Sequence, residues 1–118
     1  MFISNKDGEY IRMENVIAIS TEGRYIQIYS ERGQMRKEVE EFRPTFPLSS
    51  ILNTMKQKYK IDFLRMGNHV FALPAIDSVN WTDEGAVVTT AQRKFNVKLT
   101  EEEMEKAAEN MRHYFPVW

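Results

Sequence analysis

The chain has 118 residues, enough for one domain around one core, and its 42% hydrophobic and 28% charged residues are those of a globular protein. No apolar run approaches the roughly 18 residues of a membrane helix, the first ten residues lack the basic and apolar regions of a signal peptide, and there is no cysteine for a disulfide framework or a thiolate metal site; the expected location is the cytoplasm, with no membrane partner. The net charge of −1 is not the strongly basic balance of most nucleic-acid-binding domains, but the acidic excess is local: from Thr100 onward Glu101, Glu102, Glu103, Glu105 and Glu109 face only Lys106 and Arg112, which leaves residues 1–99 mildly basic.

In chain order, Phe2-Ile3 opens a short strand, Asn5-Lys6-Asp7-Gly8 reads as a hairpin turn, and Tyr10-Ile11-Arg12 returns. Val16 to Ile19 is an apolar run, Thr21-Glu22-Gly23-Arg24 a loop, and Tyr25-Ile26-Gln27-Ile28-Tyr29 an alternating strand. Glu31-Arg32-Gly33 turns the chain so that Met35 to Val39 pairs back. Short strands at this spacing suit an all-β sandwich or barrel. Glu40 to Pro47, with Pro44 and Pro47, is a connection. Leu48, Ile51, Leu52, Met55 and Tyr59 then recur at helical spacing, which predicts a helix over about Leu48 to Tyr59 with a core-facing stripe. Lys56, Lys58 and Lys60 at its end favour the helix macrodipole.

The stretch Phe63 to Ile76 organises the rest. Phe63 and Arg65 should face one side of a strand and Leu64 and Met66 the other. Gly67-Asn68 is a turn dipeptide, and Val70 to Leu73 reads as a buried strand. Asn68 and His69 are therefore expected at a loop tip, where a rigid scaffold can present binding groups, although a Gly-Asn pair serving only as a turn is the plainer reading. Ile76 to Trp81, Ala86 to Thr90 and Phe95 to Leu99 are further strands, separated by Thr82-Asp83-Glu84-Gly85 and Ala91-Gln92-Arg93-Lys94. Thr100-Glu101-Glu102-Glu103 reads as a capping box and predicts a helix from about Glu101 to His113. The apolar tail Tyr114-Phe115-Pro116-Val117-Trp118 should pack on the domain or on a second copy, with a homodimer favoured.

No catalytic arrangement emerges. The sequence has no Cys nucleophile, no nucleophile elbow and no phosphate-cradling glycine loop, and His69 and His113 have no partner at metal-ligand spacing. Neither enzymatic activity nor a cofactor or metal is expected.

Strands, one helix, a strand–loop–strand unit and a β-hairpin ending in an alternating strand, in that order, resemble the LytTR-type DNA-binding domain of bacterial response regulators over about Phe2 to Met111. Val16 to Tyr25 matches that family's I-x-Y-I-E-x-x-G-x-Y segment. Phe63-Leu64-Arg65-Met66-Gly67-Asn68-His69-Val70-Phe71-Ala72-Leu73 matches its F-x-R-I-H-x-S-x-x-V-N motif, and Phe95 to Leu99 its final strand. The resemblance implies a mostly β fold with an arrangement of small antiparallel sheets, one mid-chain helix and a C-terminal helix, as a single domain over residues 1–118 whose residues 100–118 form the acidic helix and aromatic tail. It implies double-stranded DNA as partner, read in the major groove by three loops: Gly23-Arg24-Tyr25, Asn68-His69, and the segment around Lys98. The chemistry suits that role, since Asn can bond adenine bidentately, Arg can bond guanine and Lys can hold phosphate. The sequence departs from the family where the family's His is Gly67, its Ser is His69, its Asn is Leu73 and its final Arg is Leu99. No receiver domain is expected within these 118 residues. The leading expectation is a stand-alone sequence-specific transcriptional regulator; the alternative is a protein-interaction or ligand-sensing module that kept the fold and lost DNA contacts.

Overall fold

Alternation explains most of the strands. Tyr25-Ile26-Gln27-Ile28-Tyr29 buries Ile26 and Ile28 and leaves Tyr25, Gln27 and Tyr29 half exposed. Phe63-Leu64-Arg65-Met66 behaves likewise, with Leu64 and Met66 buried and Arg65 in solvent. The computed structural model describes residues 2–4, 7–38, 53, 56–58 and 62–114, and of Ser4, Glu22 and Tyr114 the backbone alone. Within it the strands are β1 (Phe2–Ser4), β2 (Tyr10–Arg12), β3 (Val16–Glu22), β4 (Tyr25–Ser30), β5 (Gly33–Glu38), β6 (Phe63–Met66), β7 (His69–Ala72), β8 (Ile76–Thr82), β9 (Gly85–Thr90) and β10 (Lys94–Lys98), followed by the helix α1 (Glu101–Tyr114). Single 3-10 turns at Met13–Asn15 and Leu73–Ala75 lead into β3 and β8.

These strands form three antiparallel sheets: β1-β2, the five-stranded β5-β4-β3-β7-β6, and β10-β9-β8. The fold is mostly β, in small sheets rather than one closed barrel. β3 lies at the centre of the largest sheet, covered on both faces, so its residues read as the unbroken run Val16-Ile17-Ala18-Ile19 rather than as an alternation. A register shift between Val16 and Ala18 helps divide that run between two core clusters. Ile17 and Ala18 join Leu64, Met66, Phe71, Val88, Phe95, Val97 and Leu99 on the side that meets the three-stranded sheet. Val16 and Ile19 join Ile3, Met13, Ile26, Ile28 and Met35 on the other.

The expected capping box is present at α1. Thr100 Oγ1 accepts from the Glu103 amide at 3.2 Å, and Glu103 Oε1 accepts from the Thr100 amide at 3.1 Å. A side-chain cap of this kind is worth about 1 kcal/mol. Three glutamates in the first turn and Arg112 and His113 in the last complement the helix dipole. Ala107 is buried and Met104 and Met111 are half-buried against the first core cluster, so the helix closes that side of the core.

Several element ends differ from the sequence reading because pairing extends further than composition suggests. Thr21 and Glu22 belong to β3, which shrinks the loop there to the two-residue turn Gly23-Arg24. Gly33 pairs with Ser30, leaving Glu31-Arg32 as that turn. Gly85 opens β9 instead of closing a turn. Leu73 stands in the 3-10 turn and is only half buried. Of the expected helix over Leu48 to Tyr59, Asn53, Lys56 and Gln57 are helical and Lys58 is a turn residue; Leu48, Ile51, Leu52, Met55, Tyr59 and Lys60 lie outside the described residues, as does the tail beyond Tyr114. No helix among the described residues is long and apolar enough to cross a membrane.

Candidate nucleic-acid interface

The turn between β6 and β7 is built by Gly67, which takes φ 61°. Positive φ therefore falls on the glycine, and Asn68 has a different task. Its backbone continues the β3–β7 ladder: Ser20 pairs with His69, and the Thr21 amide donates to the Asn68 carbonyl at 3.1 Å. Its side-chain Nδ2 donates to the Thr21 carbonyl at 3.0 Å. The Asn68 amide thus clasps β3 just before the Gly23-Arg24 turn, joining two of the three expected loops. The plainer reading of Gly67-Asn68 as a turn alone omits this clasp.

That bond also fixes the histidine tautomer. With Nδ2 turned to Thr21, Asn68 Oδ1 faces His69 Nδ1 at 2.9 Å, and an amide oxygen only accepts, so Nδ1 carries the hydrogen. His69 is not at a loop tip. It opens β7, half-buried, with its ring stacked on Phe71 at 5.8 Å and 8° and edge-on to Phe95 at 6.3 Å. Residues i and i+2 share one face of a strand, which is why the two rings meet.

The third expected loop adjoins the same turn. A Cβ on Gly67 would lie 2.9 Å from Leu99 Cδ2, 3.2 Å from Glu103 Oε2 and 3.6 Å from the Lys98 carbonyl. Two departures from the LytTR pattern therefore touch: Leu99, where the family has Arg, packs into the space over Gly67, where the family has His. The other two are also packing residues, since His69 stacks in the aromatic cluster and Leu73 lies against the core. Asn68 keeps an exposed position among them.

Arg24 lies in the exposed Gly23-Arg24 turn, its guanidinium 3.1 Å from Glu38 Oε1. Its side chain is 61% exposed, so the pair holds by no more than about 1 kcal/mol. Tyr25 is half-buried and carries the Arg36 guanidinium over its ring at 4.3 Å. Lys98 is exposed at the end of β10, and Arg65 donates to the Gly67 carbonyl at 3.3 Å. Two acidic residues lie at the same end: Glu84, whose carbonyl accepts from the Leu99 amide, and Glu103, whose Oε2 lies against Gly67. The end of the molecule that collects the three turns is therefore mixed in charge.

The sequence did not signal Glu38 and Glu103 as members of this site, nor the contacts that Thr21 and Leu99 make in it. Their contacts bridge residues far apart in the chain, up to 47 positions in the Thr21–Asn68 pair, and no local pattern encodes such a distance.

No family model matches the sequence, and neither does any curated protein. Among solved structures, a LytTr DNA-binding domain from a Bacillus cereus protein described as a methyl-accepting/DNA response regulator is similar to it, with a TM-score of 0.64 over 99% of this chain and 96% of that one, at 10% sequence identity. The chain shares the fold of that LytTr domain.

Proposed function

We propose that this chain is a DNA-binding domain of a LytTR-type transcriptional regulator that reads a major groove through the Asn68 turn, with Arg24 and Lys98 on the flanking bases and backbone. The observation that carries this reading is the convergence of the three turns on a fold whose solved relative is a DNA-binding domain. In this reading Asn68 makes the base contact and His69 positions it through Nδ1. Tyr25 holds Arg36 beside Arg24, and Lys98 meets phosphate. Arg24 exchanges a weak surface pair with Glu38 for a DNA contact. A homodimer through α1 and the following tail fits paired half-sites. Such a role calls for no catalytic group.

The test is selection from a pool of random duplexes at two salt concentrations. Wild type should enrich one sequence class. Asn68→Ala should lose about 1–3 kcal/mol of discrimination, the worth of one bidentate base contact. Lys98→Ala should weaken all sequences alike and reduce the salt slope by about one unit. No enrichment by wild type would reject the regulator.

A specific observation favours the second reading, a module that binds protein instead. Glu84 and Glu103 place acidic groups at the end of the molecule that carries the Asn68 turn, and these repel phosphate. Under that reading wild type shows only weak, sequence-blind retention on DNA.

A further inference from the structure

The opposite end of the five-stranded sheet holds a second site. β3 begins at Val16, paired with Ser30, and ends at Glu22, paired with Tyr25, so the two ends are about 20 Å apart. At the far end the N-terminal hairpin pairs Phe2 with Arg12, Ile3 with Ile11 and Ser4 with Tyr10. Alternation sends Ile3 and Ile11 into the second core cluster and leaves Phe2, Tyr10 and Arg12 together on the outer face. Phe2 is 53% exposed and Tyr10 69% exposed, so both rings present their faces to solvent. Their rings meet edge to face at 6.4 Å and 87°, and the Arg12 guanidinium stands 5.2 Å from the centre of the Phe2 ring.

These side chains form one wall of a cleft of ≈ 340 Å³ whose other wall is the β4–β5 turn with Arg32 and Gln34. Gln34 is held in place: its Oε1 accepts from Arg93, whose guanidinium lies 4.7 Å from the centre of the Tyr29 ring. One carboxylate, Glu9, lines the cleft against two guanidiniums and already has a contact of its own. The volume is at the small end of ligand pockets, the size of one ring system with its substituents. Aromatic faces stack on planar rings, and guanidinium forks grip phosphate.

We propose that this cleft binds a 5′-nucleotide, a planar base against Phe2 and Tyr10 with its phosphate on Arg12 and Arg32. The site is separate from the Asn68 turn and does not depend on DNA binding there.

The test titrates the full chain, without DNA, with AMP, GMP, CMP and UMP and follows backbone amide NMR shifts. At least one nucleotide should give saturable shifts at Tyr10, Arg12, Gly33 and Gln34 and none at Gly67 and Asn68. Its nucleoside, inorganic phosphate and phenyl phosphate should each bind at least about tenfold more weakly. Arg12→Gln and Arg32→Gln should bring nucleotide affinity down to that of the nucleoside, while Tyr10→Ala should weaken both. These residues are exposed, and unchanged amide shifts elsewhere would show each variant folded. Absence of shifts with all four nucleotides overturns the proposal. So does equal binding of phosphate or phenyl phosphate, full affinity in both arginine variants, or binding confined to longer single strands.

Discussion

Replacing Gly85 with alanine is expected to destabilise the protein by about 3 kcal/mol, at the upper end of overpacking substitutions. Gly85 is buried at the start of β9, paired with Lys98. A Cβ there would overlap the carbonyl oxygen of Val97 and lie 2.9 Å from the amide nitrogen of Leu99. Both obstacles are backbone, so no change of rotamer relieves them. The end of the β9–β10 ladder has to open, and the bond from the Leu99 amide to the Glu84 carbonyl, 2.9 Å long, goes with it. Leu99 also fills the space over Gly67, so the effect should reach the Asn68 turn. Urea unfolding followed by far-UV circular dichroism measures the loss, and a midpoint equal to that of wild type would contradict the close approach described for Gly85.

Phe71→Ala should cost about 3–5 kcal/mol, the range for truncating a buried aromatic side chain. Phe71 is fully buried in the middle of β7. It stacks under His69 and meets Phe95 edge to face at 5.3 Å and 76°, and Phe95 in turn meets Tyr29 at 5.0 Å and 84°. The ring therefore joins the five-stranded sheet to the three-stranded one. Its removal leaves a cavity at that junction and takes away the surface on which His69 rests. The same unfolding experiment reads the stability, and amide exchange at Asn68 and His69 should rise more than at Gly33 and Gln34. A loss below about 1 kcal/mol would mean that the junction collapses to fill the cavity.

Where structure follows from near neighbours, the residues announce it. The alternation of Tyr25 to Tyr29, the turn at Gly67, the Thr100–Glu103 box and the helix after it all depend on contacts within a few positions, and each has its counterpart in the fold. Strand spacing alone suggested an all-β sandwich or barrel; the expected arrangement of small antiparallel sheets came from the resemblance to LytTR domains, whose element order survives at 10% identity because order is set by alternation and turns rather than by particular side chains. The details of the candidate site were less legible. His69 was expected at a loop tip, because a Gly-Asn turn followed by a polar residue gives no sign that the polar residue already pairs with Ser20 and stacks on Phe71. Gly85 was expected only to turn the chain; its need for a bare backbone arises from Val97 and Leu99, which reach it through tertiary pairing. The clasp between Asn68 and Thr21 has the same origin, and it converts a turn residue into the link between two loops.

In the proposed function, duplex DNA meets the end of the molecule where the Gly23-Arg24, Gly67-Asn68 and Lys98-Leu99 segments converge. The most direct measurement is the change in backbone amide NMR shifts when a duplex carrying the selected sequence is added to the full chain. The largest changes should fall at Gly23, Arg24, Asn68, His69, Lys98 and Leu99, Asn68→Ala should shrink the difference between the selected and a scrambled duplex by about 1–3 kcal/mol, and added salt should reverse the changes. Changes confined to Arg12, Arg32 and Gln34 at the opposite end, or none at all, would contradict it.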